Sequence, residues 1–539
     1  MRTLPLASSL LLLLVACSGS GDDAGSSDVS APQVDAPPPA MQTPPAASGD
    51  FALSAATSIA IRRGETKTVS VAITRTAGSK GQVHVSISDL PAGVHANEAT
   101  ANEGDAKVDL TLSADASATA SSLQQLVIHG KLDAIEHTQA FSLAIAGARG
   151  ELDTSFGAAG RGELGGNGWV SAIVPLPDGR VLAGATVAGE AQIARFTSAG
   201  KLDTTFGTKG IAHLDHAASY TDELRRMRVL SDGRIAISGE RTDNILHHDR
   251  GFVARFDASG HIDSAFGTGG VAEVLATGTD ASLGAGIFEN ADGTLFVAGY
   301  DVLSGCRAFL AKLDANGQPV AGFGTGGKRI LTNAPDSDFC ASDGVRMPDG
   351  GIALGGTAYG LTKMMAVRFD ATGAVDTTFG TSGYATAGSE KPAAWFGAMT
   401  IAADGKIVMS GNAWGNSTAE MTFARFDAGG KLDASFGTGG VRTVDVGPLR
   451  SEAWGIAVGK DGGIYATGWY EITKNVTGLA MVQLDAKGNV DKSFGSAGSV
   501  LGPTGFGQGN ALALDADGRL LIGTYFTDST HPGIGKFWN

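Results

Sequence analysis

Carboxylate and imidazole side chains recur at equivalent positions of the chain where they could hold a divalent metal ion. Glu163, His213 and Glu273 each follow a glycine by three residues. Two carboxylates and one imidazole form a reasonable ligand set for such an ion, provided that all three side chains turn into one channel. The favoured interpretation is that each polar side chain simply faces a water-filled channel, so no metal site is expected.

A second polar group consists of the run 247–249, His-His-Asp, together with Asp215 and His216. If the two segments form facing loops, these side chains could also bind a metal ion. A solvated polar loop explains the same residues and is the favoured interpretation.

Motifs of known catalytic chemistry are missing from the sequence. There is no G-x-S-x-G, H-E-x-x-H, phosphate-binding glycine loop or paired-cysteine zinc motif. We therefore expect no enzymatic activity and no cofactor. An envelope polysaccharide hydrolase or lyase is kept as an alternative, although the sequence assigns no close pair of carboxylates to it.

An internal repeat occupies the chain from about residue 148 to its end. The pattern D-x-x-F-G recurs with spacings of 50 to 60 residues, at Phe156, Phe206, Phe266, Phe323, Phe379, Phe436 and Phe494, and only the copy at Phe323 lacks the Asp. Each unit also contains an Asp-Gly pair and a strand ending in Ala-Arg-Phe or a degenerate version of it. Seven concordant copies predict a repeat architecture.

Each unit has the pattern of four antiparallel strands. The first strand follows the F-G-x-x-G turn, the second leads into Asp-Gly, the third leaves it, and the fourth carries Ala-Arg-Phe. Asp-Gly between apolar runs is a hairpin signal. Radial repetition of such units predicts a seven-bladed β-propeller of four-stranded blades, with the repeated phenylalanines buried between neighbouring blades.

The two faces of this propeller differ in sequence. The D-x-x-F-G and Asp-Gly turns lie on one face, which we call the first face. Every variable loop lies on the other, the second face, where binding is usual. Ten of the thirteen Trp and Tyr residues fall there: Trp169, Tyr220, Tyr300, Tyr359, Trp395, Trp414, Trp454, Trp469, Tyr470 and Tyr525. They indicate either a recognition surface or rings that cap the ends of the sheets.

Two cysteines also fall in second-face loops, of adjacent blades. They are Cys306 and Cys340. In an oxidising compartment this placement makes them candidates for a disulfide bond that joins the two blades.

The repeat units resemble a known family. The segments 152–157 (LDTSFG) and 432–437 (LDASFG) are similar to the consensus of the delta-60 repeat, a bacterial propeller-type repeat. The resemblance implies a propeller fold and a secreted or surface setting. It supplies no catalytic residues.

Residues 50–147 have a different pattern, in which short runs such as 68–73 (TVSVAI) alternate apolar and polar side chains. This alternation predicts half-buried strands, and its length suits a β-sandwich of the immunoglobulin-like type. The segment 89–94 (DLPAGV) resembles a loop of bacterial Ig-like modules. Such a domain would act as a spacer.

The N-terminus has the features of an export signal. Residues 1–16 combine a basic start with a short apolar run, and 14–17 (LVAC) resembles the bacterial lipobox, which implies lipidation of Cys17. An ordinary secretory signal is the alternative. Ser18 implies no inner-membrane retention, so the outer membrane is expected. Residues 17–49 are rich in Gly, Ser, Pro and Asp and form a linker.

Composition sets limits on function. The 539 residues carry a net charge of −15, which disfavours nucleic-acid binding. The expected protein is all-β and monomeric, anchored to the membrane by lipid. It would act as a non-catalytic binding or scaffold protein whose partner is a glycan, peptide or protein. A purely structural envelope component remains the further alternative.

Overall fold

The computed structural model describes residues 49–539 except 77, 216–219, 246–247, 275–279, 303–304, 333, 337, 389–392, 416–417 and 448. The predicted signal segment, Cys17, His216 and His247 lie outside the described residues. Within them the chain is all-β, with strands and turns and no helix. It follows that no described segment forms a helix long and apolar enough to span a membrane.

The first folded region is a two-sheet sandwich. Its strands are β1 (Phe51–Ala55), β2 (Ser58–Arg62), β3 (Thr66–Arg75), β4 (Val83–Ser88), β5 (Val94–Ala96), β6 (Ala99–Ala101), β7 (Lys107–Ala114), β8 (Ser121–Leu132) and β9 (Ile135–Ala146). One sheet has the order β1-β3-β7-β5 and the other β2-β9-β8-β4-β6. In β4, Val83, Val85 and Ile87 are buried while the residues between them are not, as the alternating pattern predicts.

The strands after the sandwich follow the repeat. They are β10 (Arg161–Glu163), β11 (Gly168–Pro175), β12 (Val181–Val187), β13 (Glu190–Phe196), β14 (Ile211–His213), β15 (Tyr220–Val229), β16 (Ile235–Asp243), β17 (His248–Phe256), β18 (Val271–Val274), β19 (Asp280–Glu289), β20 (Leu295–Val302), β21 (Cys306–Leu313), β22 (Lys328–Ile330), β23 (Phe339–Arg346), β24 (Ile352–Ala358), β25 (Lys363–Phe369), β26 (Tyr384–Ala387), β27 (Ala393–Ile401), β28 (Ile407–Trp414), β29 (Ala419–Phe426), β30 (Val441–Val444), β31 (Ser451–Val458), β32 (Ile464–Thr473), β33 (Val476–Leu484), β34 (Ser499–Leu501), β35 (Ala511–Leu514), β36 (Leu520–Tyr525) and β37 (Pro532–Phe537).

These strands form sheets whose inner edges close a ring. The inner strands β11, β15, β19, β23, β27, β31 and β35 contact one another in sequence order, and β35 contacts β11. Each short strand after an F-G-x-x-G turn is the outermost strand of the preceding unit, as in the order β11-β12-β13-β14. The predicted grouping of strands into blades was therefore wrong by one strand, because that strand pairs backward across the D-x-x-F-G loop.

The pairing of each short strand with the preceding unit also explains how the ring closes. Strand β10, at the start of the repeat region, pairs antiparallel with β37, near the end of the chain, with Gly162 opposite Ile534. The last sheet therefore has the order β10-β37-β36-β35 and combines strands from both ends of the repeat region.

The repeated Arg, Asp and Phe residues form a set of contacts on the first face that joins neighbouring units. We call this set the clasp. Arg255 donates to the carboxylate of Asp263 (2.8 Å), and its guanidinium lies 4.4 Å from the ring centroid of Phe266. A further nitrogen of Arg255 donates to the carbonyl of Ala315 in the next unit (2.6 Å). Phe266 itself is buried between adjacent sheets with Val253 and Leu283, as expected.

The same arrangement joins Arg195, Asp203 and Phe206, and again Arg425, Asp433 and Phe436. The glycine of each F-G pair has a left-handed backbone. At Gly267 (φ 60°), for example, an added Cβ would overlap the carbonyl oxygen of Val271.

The sandwich contacts the first face of the ring. Arg63 pairs with Glu151 (2.6 Å), and Arg62 donates to the backbone carbonyl of Asn539 (2.5 Å). Between the two regions lies a cavity of about 810 Å³ that is bordered by Ile59 of the sandwich and Trp538 of the ring. The opposite, second face of the ring is the one that points away from the sandwich.

Candidate ligand-binding pocket on the second face

Bulges in the inner strands position the side chains of a cavity at the second-face mouth of the ring. The register with the neighbouring strand shifts between Val170 and Ala172 in β11 and between Leu224 and Arg226 in β15. A further shift occurs in β31, between Ala453 and Gly455. The residues at the three shifts, Ser171, Arg225 and Trp454, all line this one cavity. Bulges commonly redirect a side chain in this way.

The cavity has a volume of about 760 Å³, within the range of small-molecule sites. Trp169, Trp454 and Tyr525 supply aromatic walls, and the side-chain amides come from Asn167, Gln508 and Asn510. The other lining residues are Gly168, Ser171, Thr186, Ala188, Gly189, Glu223, Arg225, Arg226 and Thr530. We call this cavity the mouth pocket.

The charged groups of the mouth pocket are paired with one another. Arg225 contacts Glu223 (2.8 Å) and Glu240 (3.5 Å). Burial tends to lower the pKa of Arg225, but the nearby carboxylates of Glu240 and Glu223 hold it above its ordinary value. Burial raises the pKa of Glu223 despite the attraction of Arg225. The positive charge of the Arg225 guanidinium is thus balanced by carboxylates of the protein itself.

One arginine that lines the mouth pocket forms an ion pair with a carboxylate of another sheet. Arg226 of β15 reaches across to β23, where it contacts Asp343 (3.1 Å) and donates to the carbonyl of Ser342 (2.6 Å). Strand β19 lies between β15 and β23 in the ring. Asp343 also accepts the backbone N–H of Met399 (2.8 Å), so that three sheets meet at one carboxylate.

Some polar side chains of the mouth pocket have hydrogen-bond partners within the protein, and others have none among the described residues. Asn167 accepts a hydrogen bond from Thr530 (2.6 Å), and Gln508 donates to Thr477 (3.1 Å). Among the described residues, the side-chain amide of Asn510 has no hydrogen-bond partner, and neither does the buried hydroxyl of Ser171. Asn510, which immediately precedes β35, lines the mouth pocket and is available to a ligand, whereas the Ser171 hydroxyl of β11 is buried without a partner.

Further aromatic rings extend from the mouth pocket across the second face. The ring centroids of Trp454 and Trp469 lie 6.2 Å apart. Trp454 donates to Glu452 (3.0 Å), which also accepts from Asn412 (3.2 Å). Burial raises the pKa of the Glu452 carboxyl.

Beyond Glu452, the guanidinium of Arg450 lies 5.3 Å from the ring centroid of Trp414. Trp414 lies next to Trp395 (5.6 Å between ring centroids), which is next to Tyr359 (6.3 Å). We call the side chains of Tyr359, Trp395, Trp414 and Trp469 the aromatic row.

The structure thus divides the ten predicted second-face aromatics. Seven belong to the mouth pocket or the aromatic row. The other three pack into the protein: Tyr220 lies beneath Arg241, Tyr300 is partly buried, and Tyr470 packs on the core between two sheets. The packing of these three rings agrees with the capping interpretation, and a recognition surface stays a prediction for the other seven.

Cys306 and Cys340 are joined as a disulfide, with their Cα atoms 4.9 Å apart. The bond lies beside a parallel bridge between Arg307 and Phe339, which connects two neighbouring units into one eight-stranded sheet. Asp338 accepts the backbone N–H of Cys306 (2.8 Å).

The proposed metal set in the channel is not formed. Glu163, His213 and Glu273 lie on the outermost strands β10, β14 and β18 of separate sheets, away from the inner edge. His213 instead contacts Glu190 (3.1 Å), and Glu273 contacts Arg250 (3.2 Å). Glu163 lies near His531 (3.4 Å). The metal-binding alternative is therefore wrong for these three residues, because it depended on a grouping of strands that would have placed them at the inner edge.

Sequence reasoning missed most of the polar residues of the mouth pocket. Ser171, Arg225 and Asn510 were missed, and each stands seven residues before the Asp of an Asp-Gly pair, as the predicted Trp454 does. Aligning the units on Asp-Gly would have shown this position to vary, with polar or aromatic residues among apolar neighbours.

Comparison with known proteins supports a propeller fold for the ring. Residues 176–206, 230–266 and 402–436 match a family described as "Domain of unknown function (DUF5122) beta-propeller". The ring is a β-propeller. No match was found among curated proteins.

Two solved structures show low similarity to the chain. A DUF4623 family protein from Bacteroides eggerthii is 8% identical over 87% of this chain and 89% of its own, with a TM-score of 0.31. A chimeric titin Z1Z2 fragment is 12% identical over 43% of this chain and 97% of its own, with a TM-score of 0.14.

Proposed function

We propose that the protein is a bacterial lipoprotein that binds a ligand without catalysis, in the mouth pocket of a seven-bladed propeller carried on an Ig-like sandwich. The observation that carries the proposal is the mouth pocket itself. It combines three aromatic walls with convergent amide and hydroxyl groups, two of which have no partner among the described residues.

The position of the sandwich supports this role. Its contacts through Arg62 and Arg63 are with the first face, near the end of the chain. A lipid on Cys17 and the linker that follows it would therefore hold the propeller with its second face toward its surroundings. The delta-60 resemblance is consistent with this setting.

The lining of the mouth pocket favours binding over hydrolysis. Glycosidases use two carboxyl groups that flank the bond to be broken. Among the described residues that line the pocket, Glu223 is the only carboxylate, and it is paired with Arg225. The hydrolase or lyase alternative has no second acid at this site.

The proposal is tested by retention of envelope material on the immobilised full chain. Soluble polysaccharide, peptide and protein fractions of a bacterial envelope would be passed over the wild type and over Trp454→Ala. We expect the wild type to retain one of these fractions and Trp454→Ala to let the same fraction pass.

The control is Ile245→Ala, which removes an apolar side chain that is 73% exposed on the same face. Equal retention of every fraction by all three proteins would reject the mouth pocket as the binding site.

A further inference from the structure

We propose that the ligand is a neutral polysaccharide, whose chain end occupies the mouth pocket while the sugars that follow lie along the aromatic row. This inference rests on the proposed function and adds the chemical class of the ligand. The argument comes from the charge of the pocket, its free hydrogen-bonding groups and the course of the aromatic rings.

The charges of the mouth pocket do not suit an acidic ligand. Arg225 and Arg226 are the cations among the described lining residues, and both already contact carboxylates. Counting Glu223, Glu240 and Asp343 against these two arginines, the group carries a net charge of about −1 when every carboxyl group is ionised. A phosphate, a uronic acid or a sulfate ester would have to displace a protein carboxylate. A neutral ligand can bind without the free-energy cost of displacing a protein carboxylate.

The free polar groups suit hydroxyl groups. The amide of Asn510 can donate and accept at the same time. Neighbouring hydroxyls of a sugar present donors and acceptors side by side, so that both ends of the Asn510 amide would find partners. An apolar ligand would leave this capacity unused.

The aromatic walls suit the other surface of a sugar. The apolar C–H face of a pyranose ring packs against an aromatic face, while the ring edges keep their hydroxyls in water. Trp169 and Trp395 are 40% and 41% exposed, and Tyr359 is 47% exposed. Rings of this size left in water are consistent with a surface that is covered by a ligand.

The continuity of the aromatic row points to a polymer. Contacts run without a break from Tyr359 through Trp395 and Trp414 to Arg450, with centroid separations of 5.3 to 6.3 Å. Glu452 then connects this segment to Trp454 and the mouth pocket. A monosaccharide would occupy only the pocket and leave the row empty.

The test is affinity gel electrophoresis of the full chain carrying Cys17→Ser. The gels would contain neutral polysaccharides (a β-glucan, a galactomannan, a dextran) or acidic ones (alginate, hyaluronan). We expect retardation by at least one neutral polymer. Asn510→Ala should weaken it about tenfold, the equivalent of one hydrogen bond of about 1.4 kcal/mol. Ile245→Ala should have no effect.

A second comparison separates the pocket from the row. Trp395→Ala, at an exposed position that tolerates truncation, should weaken binding of the polymer several-fold. It should leave binding of a trisaccharide of the same sugar unchanged, because the trisaccharide occupies the pocket alone. Equal effects on both ligands would overturn the extended site.

The outcomes distinguish a failure of the polysaccharide as the ligand from a failure of the mouth pocket as the binding site. Retardation only by acidic polymers, or retention only of peptides, with loss in Asn510→Ala, would overturn the neutral polysaccharide and keep the mouth pocket as a binding site. Retardation that is unaffected by both Asn510→Ala and Trp454→Ala would reject the pocket itself. Failure of every polysaccharide and every envelope fraction to bind would reject both.

Discussion

Replacing Arg255 with Ala should destabilise the propeller by about 3 to 4 kcal/mol. Arg255 is only 4% exposed and makes an ion pair with Asp263, a bond to the carbonyl of Ala315 and a stacking contact with Phe266. Breaking a buried pair costs about 3 to 5 kcal/mol. Asp263 retains Arg234 as a second partner at 3.2 Å, which places the expected loss toward the lower end.

Two substitutions serve as references for Arg255→Ala. Arg234→Ala removes a more exposed guanidinium on the same carboxylate and should cost about 1 kcal/mol or less. Arg255→Lys should fall between the two, because a lysine keeps the positive charge but cannot make all the contacts of the planar guanidinium at once.

Urea unfolding followed by tryptophan fluorescence measures these differences. All six tryptophans lie after residue 148, so the signal reports on the propeller and not on the sandwich. A loss in Arg255→Ala no larger than that in Arg234→Ala would refute the clasp as a connection between neighbouring units.

Three further predictions concern acid, redox state and the membrane. Hydroxyl donors Thr205 and Ser435 hold the pKa of Asp203 and Asp433 at about 2, below an ordinary value of about 3.9. This stabilisation, about 2 kcal/mol for each carboxylate, is complete above about pH 4 and is lost as the pH falls through 2. The melting temperature of Asp→Asn variants at both positions should therefore depend less on pH between 5 and 2. Cys306→Ser together with Cys340→Ser should lower the free energy of unfolding by about 2 to 4 kcal/mol, and the reductant sensitivity of the wild type should disappear in this variant. Cys17→Ser should move the protein from the detergent phase to the aqueous phase in a Triton X-114 partition, whereas an unchanged partition would contradict a lipid anchor on that residue.

Local signals in the sequence were sufficient for the strands of the propeller. Asp-Gly between apolar runs and the F-G-x-x-G glycines require particular backbone conformations, so the turns could be located from residue type alone. The grouping of strands could not be read in this way. A short strand such as β14 can pair with the strand before it or the strand after it, and only the packed structure decides between them.

The mouth pocket depended even more on long-range structure. The bulges that turn Arg225 and Trp454 into the pocket are not visible in an apolar–polar pattern. The pair of Arg226 and Asp343 joins residues 117 positions apart, which no local pattern can indicate. The aromatic residues were found because ring size alone suggested a role on a variable face. Asn510 and Ser171 carry no such signal.

The most direct test of the mouth pocket as a binding site is isothermal titration of the full chain, with Cys17→Ser, against oligosaccharides cut from the polymer that it retains. A site in the pocket predicts one oligosaccharide per chain and about tenfold weaker binding in Asn510→Ala, with the wild-type affinity kept in Ile245→Ala. The same stoichiometry and affinity in all three proteins would contradict a ligand site in the mouth pocket.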